Sequence, residues 1–193
     1  MYFINKNIER ISRFFKFLLS KDFTLSHKFQ NKNQVTNANF IINSLKIKNF
    51  VPKYIIDVGC GHGEWTKKLL RFYPNSNFFL FDADNTNLKK LENLKKKYHN
   101  IDYKICLLSD NENFYTFYNM GYGSSIFEEQ TSHARKQQKI KSTTLKKEIP
   151  NELKNYSNNL IKIDVQGAEL KVLDGLNELI NNFEVVILEV SVH

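Results

Sequence analysis

The stretch that most constrains this chain runs from Tyr54 to Trp65 and reads Y-I-I-D-V-G-C-G-H-G-E-W. Tyr54, Ile55, Ile56 and Val58 form a short apolar run of the kind buried on both faces as a central parallel strand. Asp57 breaks that run near its carboxyl end. Gly59, Gly61 and Gly63 follow on alternate positions, and residues 64–70 then read as an opening helix. Strand, glycine-rich turn and helix make the nucleotide-cradling start of a doubly wound α/β domain. Glycine takes positive φ at no steric cost, and its missing Cβ lets a ligand approach the backbone.

The spacing of those glycines narrows the ligand. A G-x-G-x-x-G turn would place a dinucleotide pyrophosphate on the helix N-terminus. Here the pattern is G-x-G-x-G with an aspartate two residues ahead, as in S-adenosylmethionine sites; a bare tight turn is the plainer alternative. At 193 residues the chain is long enough for one domain with a sizeable core. Its net charge of +8 would attract phosphate, nucleic acid or anionic lipid, although a Lys-, Asn- and Ile-rich composition accounts for it equally well. Cys60 and Cys106 lie far apart and outside any C-x-x-C spacing, so neither a disulfide framework nor a zinc site is indicated, and a reduced, cytosolic setting fits. No metal site is expected.

No run of about eighteen apolar residues exists, so no transmembrane span is expected. Residues 1–50 read as an N-terminal helical extension and residues 51–193 as the catalytic-type domain. Within the extension, Ile8, Ile11, Phe15, Leu18 and Leu19 share one face of a helix, which would pack on the domain or lie weakly on a membrane surface. A helix is expected from Asn37 to Leu45.

After the first strand, a helix from about Gly63 to Tyr73 stops at Pro74. Phe78 to Phe81 reads as a second strand closing on Asp82, and Asn85 or Thr86 is positioned to cap the helix carrying Leu88, Leu91 and Leu94. Residues 101–108 read as a third strand, 114–118 as a short one, and 121–140 as a long loop. A fourth parallel strand at 160–165, a helix at 168–180 and a fifth strand at 185–190 complete the alternation. This predicts a doubly wound, mostly parallel sheet with helices on both faces, its ligand beyond the carboxyl ends of the strands. Asp57, Asp82, Asp110 and Asp164 all fall at or near those ends.

The run L-I-K-I-D-V-Q-G-A-E-L-K-V-L-D-G, Leu160 to Gly175, resembles the FkbM family of S-adenosylmethionine-dependent methyltransferases. In family order come D-V-G-x-x-x-G-E-W-T (Asp57 to Thr66), F-D (Phe81, Asp82), L-S-D (Leu108 to Asp110), a Ser-Ser-aliphatic loop (Ser124 to Ile126) and L-E-V-S (Leu188 to Ser191). The chain departs from the family at Cys60-Gly61, where Ala-Asn is usual, and at Leu145-Lys146-Lys147, where Leu-Asp-Asp often stands. It stops just after the fifth strand, so the C-terminal hairpin usual in this fold is expected to be missing, leaving an exposed edge strand.

The resemblance implies a class I, Rossmann-like methyltransferase acting on a hydroxyl of a glycan, sugar or other small metabolite. It implies that Gly59, Gly61 and Gly63 approach the methionine part of the cofactor, with Asp57 orienting the turn and reaching the amino group. Asp82 would accept from the two ribose hydroxyls, with capping of the next helix as the alternative. Ser109 and Asp110 would face the adenine, although Asp110-Asn111-Glu112-Asn113 also makes a plausible turn. Asp164 is the first choice for the base taking a proton from the acceptor and Glu169 the second, with His62 and His133 as alternatives; Glu169 also suits a helix's first turn. Ser124, Ser125 and Gln166 would line the acceptor side. The basic charge raises RNA or protein methylation as a rival, but D-V-Q-G stands where base methylation needs N/D-P-P-Y/F, so nucleic acid is not the expected partner. A non-catalytic copy that only holds the cofactor is the other rival.

Overall fold

The computed structural model describes residues 42, 45–121, 123–128 and 136–189. Most of the expected extension, its surface-helix face and His133 lie outside these residues. Residues 42 and 45–47 are helical, and Ile42, Leu45 and Phe50 are buried.

Five strands form a parallel sheet: β1 (Tyr54–Val58), β2 (Asn77–Asp82), β3 (Ile101–Ile105), β7 (Asn159–Ile163) and β8 (Phe183–Leu188). Their order is β3-β2-β1-β7-β8, so the direction of winding reverses between β1 and β7. β1 pairs with β2 from Tyr54↔Asn77 to Val58↔Phe81, and with β7 from Ile55↔Leu160 to Val58↔Ile163. Side chains alternate across this sheet with period two, and both faces are covered. One face carries Ile56, Val58, Phe81, Ile161 and Ile163, packed with Leu145 of α3 (Leu145–Glu148), Leu153, and Val172 and Leu176 of α4 (Glu169–Leu176). On the other, Leu80 lies near Leu91 and Leu94 of α2 (Leu88–Lys97), just beyond α1 (Glu64–Leu70). Burying each such side chain contributes about 1.5–3 kcal/mol.

The remaining strands make a smaller sheet of order β4-β6-β5, from β4 (Leu107–Leu108), β5 (Phe114–Asn119) and β6 (Lys136–Thr143). The single strand expected at 101–108 therefore divides at Cys106. Its amide donates to Asp82 O (2.8 Å), the last carbonyl that β2 offers. Beyond it, Leu107 and Leu108 have no β2 neighbour and pair instead with Ser142 and Thr143 of β6. β6 itself begins inside the expected loop and runs three residues past its end at Ile140. Its sequence K-Q-Q-K-I-K-S-T is mostly exposed, so no apolar alternation marks it; antiparallel pairing with β5 over Phe114↔Lys141 to Asn119↔Lys136 makes it a strand.

Two helix ends also differ from expectation. Asp84, rather than Asn85 or Thr86, caps the entry to α2: its Oδ1 accepts from Thr86 N (2.9 Å) over a short 3-10 turn, Asn85–Asn87. The helix expected at 168–180 stops at Leu176, where Asn177 takes φ 54, and a 3-10 turn, Asn177–Asn182, continues to β8. Among the described residues no helix is long and apolar enough to cross a membrane.

Candidate active site

A cleft opens at the carboxyl ends of β1, β2 and β7, where the winding reverses. Gly59, Gly61, Asp82, Ser124, Ser125, Asp164 and Gln166 line it, together with Leu107, Leu108, Phe117 and Ile126. Asp57, Gly63, Ser109, Asp110 and Glu169, also expected at the site, do not line it.

Gly59 and Gly61 serve different ends. Both have positive φ, 73° and 54°. A Cβ on Gly59 would stand 1.8 Å from the backbone oxygen of Asp164, so this glycine lets β1 run against the end of β7. A Cβ on Gly61 would meet nothing within 4 Å. Its bare backbone faces open cleft, which is the cradle a bound ligand needs. Gly63, the N-cap of α1, has φ 73° and lies where a Cβ would press Leu94 at 2.8 Å.

Asp82 binds these parts together. Its Oδ2 accepts from Gly61 N (2.6 Å), while Oδ1 accepts from Asp84 N (2.8 Å) and Asn87 Nδ2 (3.2 Å). Burial pushes its carboxyl above the usual range, against the lowering effect of those hydrogen bonds. The oxygen on Gly61 keeps a lone pair for a hydroxyl.

Asp57 lies beneath the site. Its carboxylate is fully buried, accepts from Thr66 Oγ1 (2.7 Å) and leaves Oδ1 without a hydrogen bond. Lys162 is its cross-strand neighbour on β7. Burial raises the Asp57 carboxyl, while the Lys162 charge and the Thr66 bond oppose the rise. In turn, burial works against the Lys162 ammonium, but Asp57 and Asp164 outweigh it and hold its pKa above the ordinary lysine value. Lys162 Nζ reaches Asp164 Oδ2 at 2.9 Å and Glu189 Oε2 at 3.9 Å, and lies 5.7 Å from the Trp65 ring centroid. Neither Lys162 nor Glu189 was expected at the site. A lysine inside an otherwise apolar parallel strand was the available signal, because a buried ammonium needs carboxylate partners.

Asp164 follows β7, where its amide donates to Val58 O (3.0 Å). Besides Lys162 it holds Gln166, whose Nε2 donates to Asp164 Oδ1 (2.8 Å). Gln166 has φ 53°, a left-handed conformation costly for a non-glycine residue and concentrated at functional turns. Glu169 is turned onto this turn's backbone: its Oε1 accepts from Val165 N (3.2 Å) and Gly167 N (3.0 Å). That use, with 3% exposure, keeps it out of the cleft.

The serines of the acceptor side shape their own loop. Ser124 Oγ accepts from Met120 N and donates to Gly121 O, and Ser125 Oγ ties the loop to Gln166 O (2.7 Å). Asp110 points elsewhere. Ser109 Oγ and Tyr115 Oη both donate to its Oδ1, and Lys171 Nζ stands 3.7 Å from Oδ2. Burial acts against the Asp110 carboxylate, but the Ser109 bond and the Lys171 charge lower its pKa overall. Cys106 lines the cleft as an inert thiol, pushed up to about 12 chiefly by burial. Among the described residues no cluster of His, Cys, Asp or Glu could hold a metal ion.

Parallel strands wound outward from β1, with a glycine cradle and an acidic strand end at the reversal, define a Rossmann-like nucleotide-cofactor domain. The family model described as the methyltransferase FkbM domain matches residues 31–193, and the chain belongs to that family. No curated protein matches it. Among solved structures it is similar to a provisionally assigned sarcosine dimethylglycine methyltransferase from Galdieria sulphuraria. That pair shows 14% identity and a TM-score of 0.32, over 38% of this chain and 32% of that one. It is also similar to coclaurine N-methyltransferase bound to N-methylheliamine and SAH (15% identity, 35% of this chain, 21% of that chain, TM-score 0.29). A third is precorrin-6y C5,15-methyltransferase from Geobacter metallireducens GS-15 (12% identity, 78% of this chain, 62% of that chain, TM-score 0.38). The chain spans less than two thirds of each of these proteins, and the family model, not these partial likenesses, carries the assignment.

Proposed function

We propose that this chain binds S-adenosylmethionine across the β1–β7 reversal and transfers its methyl group to a hydroxyl oxygen, on a sugar, glycan or comparable small metabolite. The observation that carries the reading is the meeting, in one cleft, of the Gly61 backbone, the Asp82 carboxylate and Asp164. These residues fit the cofactor. Gly61 leaves space for its methionine part, Asp82 offers a carboxylate to the ribose hydroxyls, and Leu107, Leu108 and Phe117 supply an apolar wall for a flat base. When bound, the cofactor supplies an electrophilic methyl on a sulfonium. What the protein adds is orientation of the acceptor, which contributes much of the rate of an in-line displacement, and a carboxylate edge to receive the proton. The hydroxyl acceptor is taken from the family resemblance together with the carboxylates at the cleft mouth.

The test is calorimetry with S-adenosylhomocysteine, followed by transfer of labelled methyl to a panel of glycosides, with RNA and protein as controls. Binding followed by a labelled glycoside supports the reading. Labelled RNA or protein moves the acceptor to the rival class, binding without any transfer makes the chain a holding module, and absence of binding overturns the reading altogether.

A further inference from the structure

Resting on the methyl-transfer reading, we propose that Glu189 takes the acceptor's proton, while Asp164 and Lys162 are positioning residues that hold it in place. Asp164 is the carboxylate nearest the cleft, but both its oxygens already accept hydrogen bonds: Oδ2 from the Lys162 ammonium (2.9 Å) and Oδ1 from Gln166 (2.8 Å). Those two bonds fix the Asp164 carboxylate against Lys162 and Gln166 instead of leaving it to turn toward an acceptor. Glu169 is spent on two backbone amides, and Asp57 is fully buried on β1.

Glu189 stands one strand further out. Leu188 lies opposite Ile163, and the Glu189 amide donates to Ile163 O (3.0 Å), so Glu189 falls beside Asp164. Its Oε2 is 3.9 Å from Lys162 Nζ, and its side chain is 61% exposed, at the strand end next to the one that carries Asp164 into the cleft. Four influences raise its carboxyl pKa: partial desolvation, the Asp164 charge, a hydrogen bond with Asp164, and the Glu169 charge; only Lys162 opposes them. A carboxylate raised in this way is the stronger base. As the acceptor oxygen bonds to the methyl carbon, the carbon–sulfur electron pair stays on sulfur and the hydroxyl proton passes to a Glu189 carboxylate oxygen.

The first test needs no acceptor. Carboxyl carbon signals of the labelled full chain are followed by NMR against pH, the Glu189 signal being the one lost in Glu189→Gln. It should titrate above the ordinary carboxylate range and fall toward that range in Asp164→Asn, where the neighbouring charge is gone. A Glu189 signal in the ordinary range, indifferent to Asp164→Asn, overturns the proposal. With any glycoside the wild type labels, Glu189→Gln should lower kcat by about 100-fold or more and abolish the acid limb of the pH profile, leaving S-adenosylhomocysteine affinity unchanged. Asp164→Asn should keep that limb, displaced to lower pH. The reverse pattern makes Asp164 the base and sinks the proposal. If no glycoside is labelled, the acceptor reading has failed, and the same kcat and pH-profile comparison on whichever acceptor the wild type does label decides Glu189; a chain that labels nothing overturns the proposal.

Discussion

Gly59→Ala is the substitution on which the geometry of the reversal point bears most directly. Two separate costs meet there. At φ 73° an alanine pays the left-handed penalty, about 1–2 kcal/mol. Its Cβ would also stand 1.8 Å from the Asp164 carbonyl oxygen, where real contacts keep at least 3.0 Å, so about 1.2 Å must come from moving backbone. That backbone is held: Gly59 N donates to Phe81 O (2.9 Å) and Asp164 N to Val58 O (3.0 Å). Overpacking of this kind costs about 1–3 kcal/mol more. The total of about 2–5 kcal/mol is a large share of the 5–15 typical of a domain, and corresponds to a Tm lower by roughly 5–15 °C. Gly61→Ala is the comparator, with φ 54° but no atom within 4 Å of its Cβ. It should lose only the left-handed penalty in urea denaturation, and lose its S-adenosylhomocysteine affinity because the new methyl enters the cleft. If the two variants unfold at the same urea concentration, the claim that Gly59 exists to admit the end of β7 is wrong.

Lys162→Met should destabilise the fold by about 1–3 kcal/mol at neutral pH, because it removes the charge that opposes burial of the Asp57 carboxylate and the ion-pair partner of Asp164. The deficit should shrink on acidification, as Asp57, raised by burial, takes up a proton, and adding Asp57→Asn should recover part of it in urea melts. In the wild type the Lys162 contribution is fully present below the unfolded lysine value, near 10.4, and fades as pH climbs through the raised folded value. Asp82→Asn should weaken S-adenosylhomocysteine binding by about 10- to 100-fold in calorimetry, the worth of charge-assisted hydrogen bonds. Wild-type affinity should fall with pH through the raised Asp82 pKa, while the variant's stays flat. Cys106, at about 12 against an ordinary 9.0, carries on the order of 1000-fold less thiolate than a free cysteine. Iodoacetamide at pH 8 should leave it unmodified in the native chain, and rapid labelling would contradict the burial argument.

The parts of this fold that were legible in advance are those whose residues have one place to go. Ile55–Ile56 and Leu160–Ile161 are apolar on consecutive positions, which suits strands covered on both faces. The terminal glycine of the Leu160 to Gly175 motif has a plain cause: a Cβ on Gly175 would lie 2.1 Å from Ser109 O, so α4 packs directly on that backbone. β6 was hidden because its hydrogen-bonding partner, not its side chains, makes it a strand. The direction of Asp110 was hidden for a similar reason. A strand end and a tight turn look alike in sequence, and the chain's swing into the second sheet carries Asp110 toward Tyr115 and Lys171. The roles of Lys162 and Glu189 depend on neighbours contributed by β1, β7 and β8 at once, which no single stretch discloses.

The break at Cys106 has a consequence for the cleft. Because β4, β5 and β6 hydrogen-bond among themselves, substitutions in the hairpin beyond Asn113 leave the backbone pairing of the five-stranded parallel sheet untouched. Ser125, on the connection that follows β5, is tied to the end of β7 through the Gln166 carbonyl and lines the cleft. Changes on that connection can therefore reshape one wall of the cleft while the glycine turn and Asp82 on the opposite wall stay as they are.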